Sequence, residues 1–132
     1  MIQNTIPLLY CNNLNKNDDI YFSKLDELYS YCYKHKYKSV IIYGDDVESE
    51  YGRNLYGIKS VIPDPDYYNE ETNLIIAYSI DDLIQTGYVY KLLYRAQKLG
   101  VRIEIAHKEI KDNYTDEELD VLAYLDEQEG LI

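Results

Sequence analysis

Two pairs of adjacent carboxylates are the side chains best suited to chemistry in this sequence: Asp45 with Asp46, and Asp81 with Asp82. Each pair follows a short apolar run. Oxygen-rich clusters at strand ends hold Mg2+ in phosphoryl-transfer and nuclease sites. The same residues also have an ordinary structural use. Acids in the first turn of a helix suit its dipole, which accounts for Asp81 and Asp82. Adjacent aspartates also make a turn, which accounts for Asp45 and Asp46. Cys11 closes the first apolar run, but a thiol nucleophile needs a base beside it. Neither His35 nor His107 has an evident route there, and the alternative for Cys11 is a small buried hydrophobe, as for Cys32. His107 reads as a surface residue. Gly52, Gly57 and Gly87 form no phosphate-cradling motif.

The elements that must position these residues are legible in the hydrophobic pattern. Residues 5–11 read as a first strand and 12–19 as a polar loop. A helix over 20–35 is predicted from Tyr21, Leu25, Leu28 and Cys32 on one face. Residues 39–43 are a β-branched run closed by Gly44, and 45–52 an acidic loop. Residues 53–62 read as a short helix ended by Pro63, and 64–72 as a turn-rich connection. Residues 73–78 are a third strand. Ser79 and Asp82 have capping-box spacing and open one long helix to about Leu99, with Val89, Leu92, Leu93, Ala96 and Leu99 as its apolar stripe. Gly100 stops it. Residues 102–106 are a fourth strand, and Thr115 with Glu118 starts a last helix to about Glu129, with Leu119, Leu122 and Leu125 on one side. Strands alternating with helices predict an α/β domain with a largely parallel sheet covered on both faces.

A chain of 132 residues is one domain with room for a real core. Two cysteines without metal-ligand spacing make no disulfide framework. The apolar runs are too short to span a bilayer, and the first nine residues have no signal-peptide pattern, so the expected location is cytoplasmic. The net charge of −11 opposes DNA, because duplex affinity rests on neutralising phosphates. Lys34, Lys36 and Lys38 form a local basic patch that also suits a helix end. Seventeen tyrosines offer rings for base stacking, but they are scattered through the amphipathic segments.

The order of these segments resembles the catalytic domain of serine recombinases, the resolvase and invertase family. In that family the first strand ends in Tyr-x-Arg-Val-Ser-Thr, and the next helix ends in a Tyr-Cys-x-x-His-like stretch. Here Tyr10 keeps the tyrosine, LYSYCYKH at 28–35 looks like the helix end, and 40–46 looks like the strand and loop that follow. The later signature, an apolar strand with Leu-Asp-Arg-Leu-x-Arg and then a Gly-Val strand, is matched by LIIAYSIDDLIQT at 74–86 and YKLLYRAQKLGVRIEIAHKE at 90–109. The resemblance covers most of residues 5–110 and rests on order and spacing. It implies a resolvase-like three-layer domain with a four- to five-stranded sheet. Residues from about 113 to 132 would be a truncated form of the family's long C-terminal helix, with no DNA-reading helix-turn-helix module expected after it.

The departures are systematic. The family's first arginine falls on Asn12 and its nucleophilic serine on Leu14. Residues 12–19 hold no Ser or Thr in any register; Thr5 and Ser23 are the nearest hydroxyls. The family aspartate is kept as Asp81, but the arginine beside it is Asp82, and the last arginine is Gln85. Arg53 matches a further family arginine loosely. Transesterification at a phosphodiester needs an activated hydroxyl and cationic donors, and each lost donor costs on the order of 3–4 kcal/mol in the transition state. The resemblance therefore implies a pseudoenzyme with no cofactor. Its partners would be proteins, a serine recombinase or a second copy of itself, in the setting of DNA recombination and a mobile element. The alternative is a Mg2+-dependent phosphoryl-transfer or nuclease enzyme using Asp45, Asp46, Asp81 and Asp82.

Overall fold

The computed structural model describes residues 7–12, 18–37, 41–45, 74–85, 87 and 89–130, with backbone alone at 12, 18, 41–45, 99 and 130. Four strands, β1 (Leu8–Asn12), β2 (Ile41–Asp45), β3 (Leu74–Ala77) and β4 (Arg102–Ile105), form a parallel sheet in the order β2-β1-β3-β4. The helices are α1 (Asp18–Lys34), α2 (Ile80–Ile84), α3 (Val89–Leu99) and α4 (Asp116–Gly130). Parallel pairing requires crossovers, and these place helices over both faces. Among the described residues, no helix is long and apolar enough to cross a membrane.

Alternation along each strand divides the core into two layers. Leu8, Tyr10, Ile75, Ala77, Ile103 and Ile105 face α2, α3 and α4, and pack with Leu83, Leu92, Ala96 and Val121. Leu9, Cys11, Leu74 and Ile76 face α1 and pack with Leu28 and Cys32. All four residues of β3 are buried because both of its faces are covered. In β4 only Ile103 and Ile105 are buried. Full burial of one such aliphatic side chain stabilises by about 1.5–3 kcal/mol, so each layer is a major term.

Three expectations need correction. The long helix expected from 79 to 99 is two helices, because Gly87 takes a left-handed φ of 76° between them. The second strand includes Asp45, which is therefore a strand residue aligned with Asn12 and not part of a following loop. On α4 the buried face is Glu118, Val121, Tyr124 and Leu125, while Leu119 is 49% exposed. Leu119 is rotated off the stripe set by 118, 121 and 125, which are three and four apart. The expected short helix at 53–62, its flanking loops, and Lys38 lie outside the described residues.

The helix ends show why the chain turns where it does. The Val101 N–H donates to the Ala96 carbonyl (2.8 Å) and the Gly100 N–H to Gln97 (3.4 Å), a Schellman cap with Gly100 at φ 71°. α1 ends the same way, Tyr37 donating to Cys32 (3.0 Å) and Lys36 to Tyr33 (3.2 Å), but here the left-handed position is a lysine at φ 64°. α4 starts with a reciprocal capping box: the Glu118 N–H donates to Thr115 Oγ1 (3.2 Å) and the Thr115 N–H to Glu118 Oε1 (3.0 Å). Near its other end, the Gln128 amide pairs with both backbone groups of Ile103, at 2.8 and 2.7 Å, and so occupies the outer edge of β4.

Candidate functional site

The strand order reverses its winding between β1 and β3, and in open α/β sheets ligands bind beyond the carboxyl ends of the strands at that point. Backbone bonds extend the ladder past the strand ends there. The Tyr78 N–H donates to the Tyr10 carbonyl (2.8 Å), Ala106 to Ala77 (2.9 Å) and His107 to Tyr78 (2.7 Å). Tyr78 and His107 are thus held side by side, their rings stacked at 5.0 Å and 7°.

Helix α1 reaches this edge from the other layer with Lys24 and Glu27. Lys24 Nζ lies 3.1 Å from Asp82 Oδ2 and 5.4 Å above the Tyr78 ring. Glu27 Oε2 lies 2.9 Å from His107 Nδ1, and the Tyr78 hydroxyl donates to Glu27 Oε1 at 3.4 Å. With a carboxylate at Nδ1, the bond assigns the proton to that nitrogen. Ser79 caps α2 by accepting from the Asp82 N–H (3.1 Å), and its hydroxyl donates to Asp82 Oδ1 (2.9 Å). Asp82 is 4% exposed. A buried carboxylate is tolerated only when paired and hydrogen-bonded, and Lys24 and Ser79 supply both.

The chemistry open to this cluster is narrow. Burial, then the neighbouring Glu27 carboxylate, pushes the Tyr78 phenol up to about 12, so it is neutral and a poor nucleophile near neutrality. The Ser79 proton is given to Asp82. Cys11 is 1% exposed within the sheet. Cys32 is buried, and desolvation followed by Glu104 pushes its thiol up to about 11, which makes it inert.

The sequence-derived candidates separate. Tyr10, 1% exposed, is a core side chain in the layer with Leu83. Asp81 is exposed and accepts from the Gln85 side chain at 2.9 Å, within one turn of α2. Asp82 points inward to Lys24. Asn12 and Asp45 are neighbours by backbone register. Leu14, Asp46 and Arg53 lie outside the described residues. Among the described residues, no three His, Cys, Asp or Glu side chains converge as a metal site. Lys34 and Lys36 are exposed at the α1 terminus.

Lys24 and Glu27 are the residues that sequence reasoning missed here, and His107, read as a surface residue, joins them through Glu27. Lys24 and Asp82 are 58 positions apart, and Glu27 and His107 are 80 apart, so no local spacing marks them. The one available signal is the three-residue step from Lys24 to Glu27 beside the apolar stripe of α1, which puts both at the same end of the sheet. Compared with family models, curated proteins and solved structures, the chain matches none of them.

Proposed function

We propose that this chain is a serine-recombinase-like domain without catalytic activity, acting through protein–protein contacts in or around DNA recombination. Its partner in this reading is an active serine recombinase or a second copy of the chain. The observation that carries it is the state of Asp82. This residue stands where the resemblance places a phosphate-facing arginine, yet it is a buried carboxylate held by Lys24 and Ser79. An arginine there would offer cationic donors to a phosphate; this pair closes on itself. Leu14 at the nucleophile position and the net charge of −11 point the same way. Exposed apolar side chains at helical spacing support a contact role: Phe22 and Tyr33 on α1 are 60% and 86% exposed, and Leu119 on α4 is 49% exposed.

The test is a recombination reaction by an intact serine recombinase on a supercoiled two-site plasmid, titrated with this protein. Slowed or redirected recombination is expected, with no strand cleavage by the protein alone, and Leu119→Asp weakening the effect. A protein that neither binds the recombinase nor alters its reaction sinks the reading. Mg2+-dependent cleavage by the protein alone would instead turn attention to Asp45, Asp46, Asp81 and Asp82.

A further inference from the structure

A cavity of about 300 Å3 opens between the start of α2, the segment after β4, and α4, and it shares Ser79 and His107 with the cluster around Tyr78. Its floor is aliphatic, made by Ile80, Ile105, Leu122 and Leu125. Its wall and mouth are polar. Lys111 and Glu118 also line it, but they are spent on each other at 2.5 Å. Among the described lining residues, Asp81, Glu109, Asp126 and Glu129 outnumber the remaining lysine, Lys108, and the imidazole of His107. A cleft with an apolar floor and one sign of charge concentrates ligands of the opposite sign. Ile110 also lines this cavity and is 98% exposed, an apolar side chain left open to solvent there.

We infer that this cavity is a binding site for a small amphipathic cation: an organic ammonium or guanidinium carried on an apolar body. At the roughly 30 Å3 that a water molecule takes up in the liquid, the volume admits about ten non-hydrogen atoms. The apolar body lies against Leu122 and Leu125, and the cation is met by the carboxylates of Asp81, Glu109 and Asp126. The backbone adds a polar group. Parallel strands turn alternate residues to opposite edges. Ala106 faces β3 while Ile103 faces the outer edge, where Gln128 meets it. Ile105 therefore turns its carbonyl to that same outer edge, beside the cavity. The site already favours a cation. The Lys111 ammonium is held above its ordinary value, first by its hydrogen bond to Glu118 and further by the charges of Glu118, Asp81 and Glu109.

The inference does not rest on the recombination reading, and its test uses the purified protein alone. Three probes share one body: 4-phenylbutylamine, 4-phenylbutanol and 4-phenylbutyrate. Each is titrated into methyl-labelled protein by NMR. The amine is expected to shift the methyl signals of Ile80, Ile105, Ile110, Leu122 and Leu125, with a dissociation constant of about 1 mM or tighter for a ligand of this size. It should bind at least about tenfold tighter than the carboxylate, with the alcohol between. Asp126→Lys with Glu129→Lys changes two exposed positions and should reverse that order while leaving the melting temperature near that of the parent. Equal binding of the three probes, shifts confined to other methyls, no binding of the amine at ten times that concentration, or an order unchanged in the double variant would each overturn the assignment.

Discussion

Among the polar contacts of the described residues, the Lys24–Asp82 pair carries a clear energetic consequence, because both ends are withdrawn from water. The side chains are 16% and 5% exposed at a separation of 3.1 Å. A surface pair of the same geometry is worth about 0–1 kcal/mol, but removing one partner of a buried pair costs about 3–5 kcal/mol, since the other charge stays desolvated. Lys24→Met should therefore lower stability by about 3 kcal/mol in urea unfolding at neutral pH. Asp82→Asn added to Lys24→Met should restore at least half of that loss, because the amide still accepts from Ser79 and leaves no stranded charge. A Lys24→Met protein within about 0.5 kcal/mol of the parent would show that the pair does not hold α1 to the sheet. At this scale the sequence is half legible. Asp82 three residues after Ser79 announces a helix start, and that is where it lies. Its second partner comes from another layer, and the choice between metal ligand, phosphate repeller and internal ion pair is made by that partner.

Helix ends show the same division between local rules and tertiary override. Gly100 is readable as a stop because only glycine takes a left-handed backbone without strain. Lys36 holds the equivalent position at φ 64° without that exemption. Its cap is kept by Tyr37, half-buried against the α1 layer, which draws the chain into the turn. The left-handed conformation costs a side-chain-bearing residue about 1–2 kcal/mol, and glycine gives back about 0.5–1 kcal/mol in backbone entropy. Lys36→Gly should thus raise stability by about 0.5–1 kcal/mol, with Lys36→Ala near neutral, read from urea midpoints at unchanged slope. A Lys36→Gly protein less stable than the parent would refute the left-handed cap. The misread elements have equally specific causes. An internal glycine costs a helix only about 1 kcal/mol, so a pattern running from Ser79 to Leu99 carries no visible break at Gly87. On α4 the buried face begins with Glu118, whose charge conceals the stripe. The capping box and Lys111 make that burial affordable, and Lys111 and Thr115 hold the carboxylate below its ordinary value.

For the molecule as a whole, the abundance of tyrosine beside excess acid sets a limit on the alkaline side. Among the described residues, Tyr31, Tyr37, Tyr78 and Tyr124 are raised above 10.0, each first by burial, with Glu104 adding to Tyr31 and Tyr37 and Glu27 to Tyr78. Tyr90 is pushed up to about 12, first by its hydrogen bond to Asp120. A group raised on folding contributes stability that is complete below its unfolded value and lost as pH rises through its folded value. Stability should therefore hold up to about pH 10 and fall between there and about 12, the value reached by Tyr78 and Tyr90. Tyrosinate absorbance should lag in the native protein relative to the same protein in guanidinium, and with no tryptophan the signal is clean. Two causes compete: desolvation, and repulsion by a chain of net charge −11. Salt separates them, because the Debye length shrinks from about 10 Å at 0.1 M to about 3 Å at 1 M, which silences distant charges and leaves desolvation intact. Since burial leads for four of these five rings, the lag should persist in 1 M salt, with only the exposed Tyr90 moving appreciably toward 10.0. Disappearance of the lag at high salt would mean that the acidic surface, not the burial of rings in the two layers of the core, governs the alkaline limit.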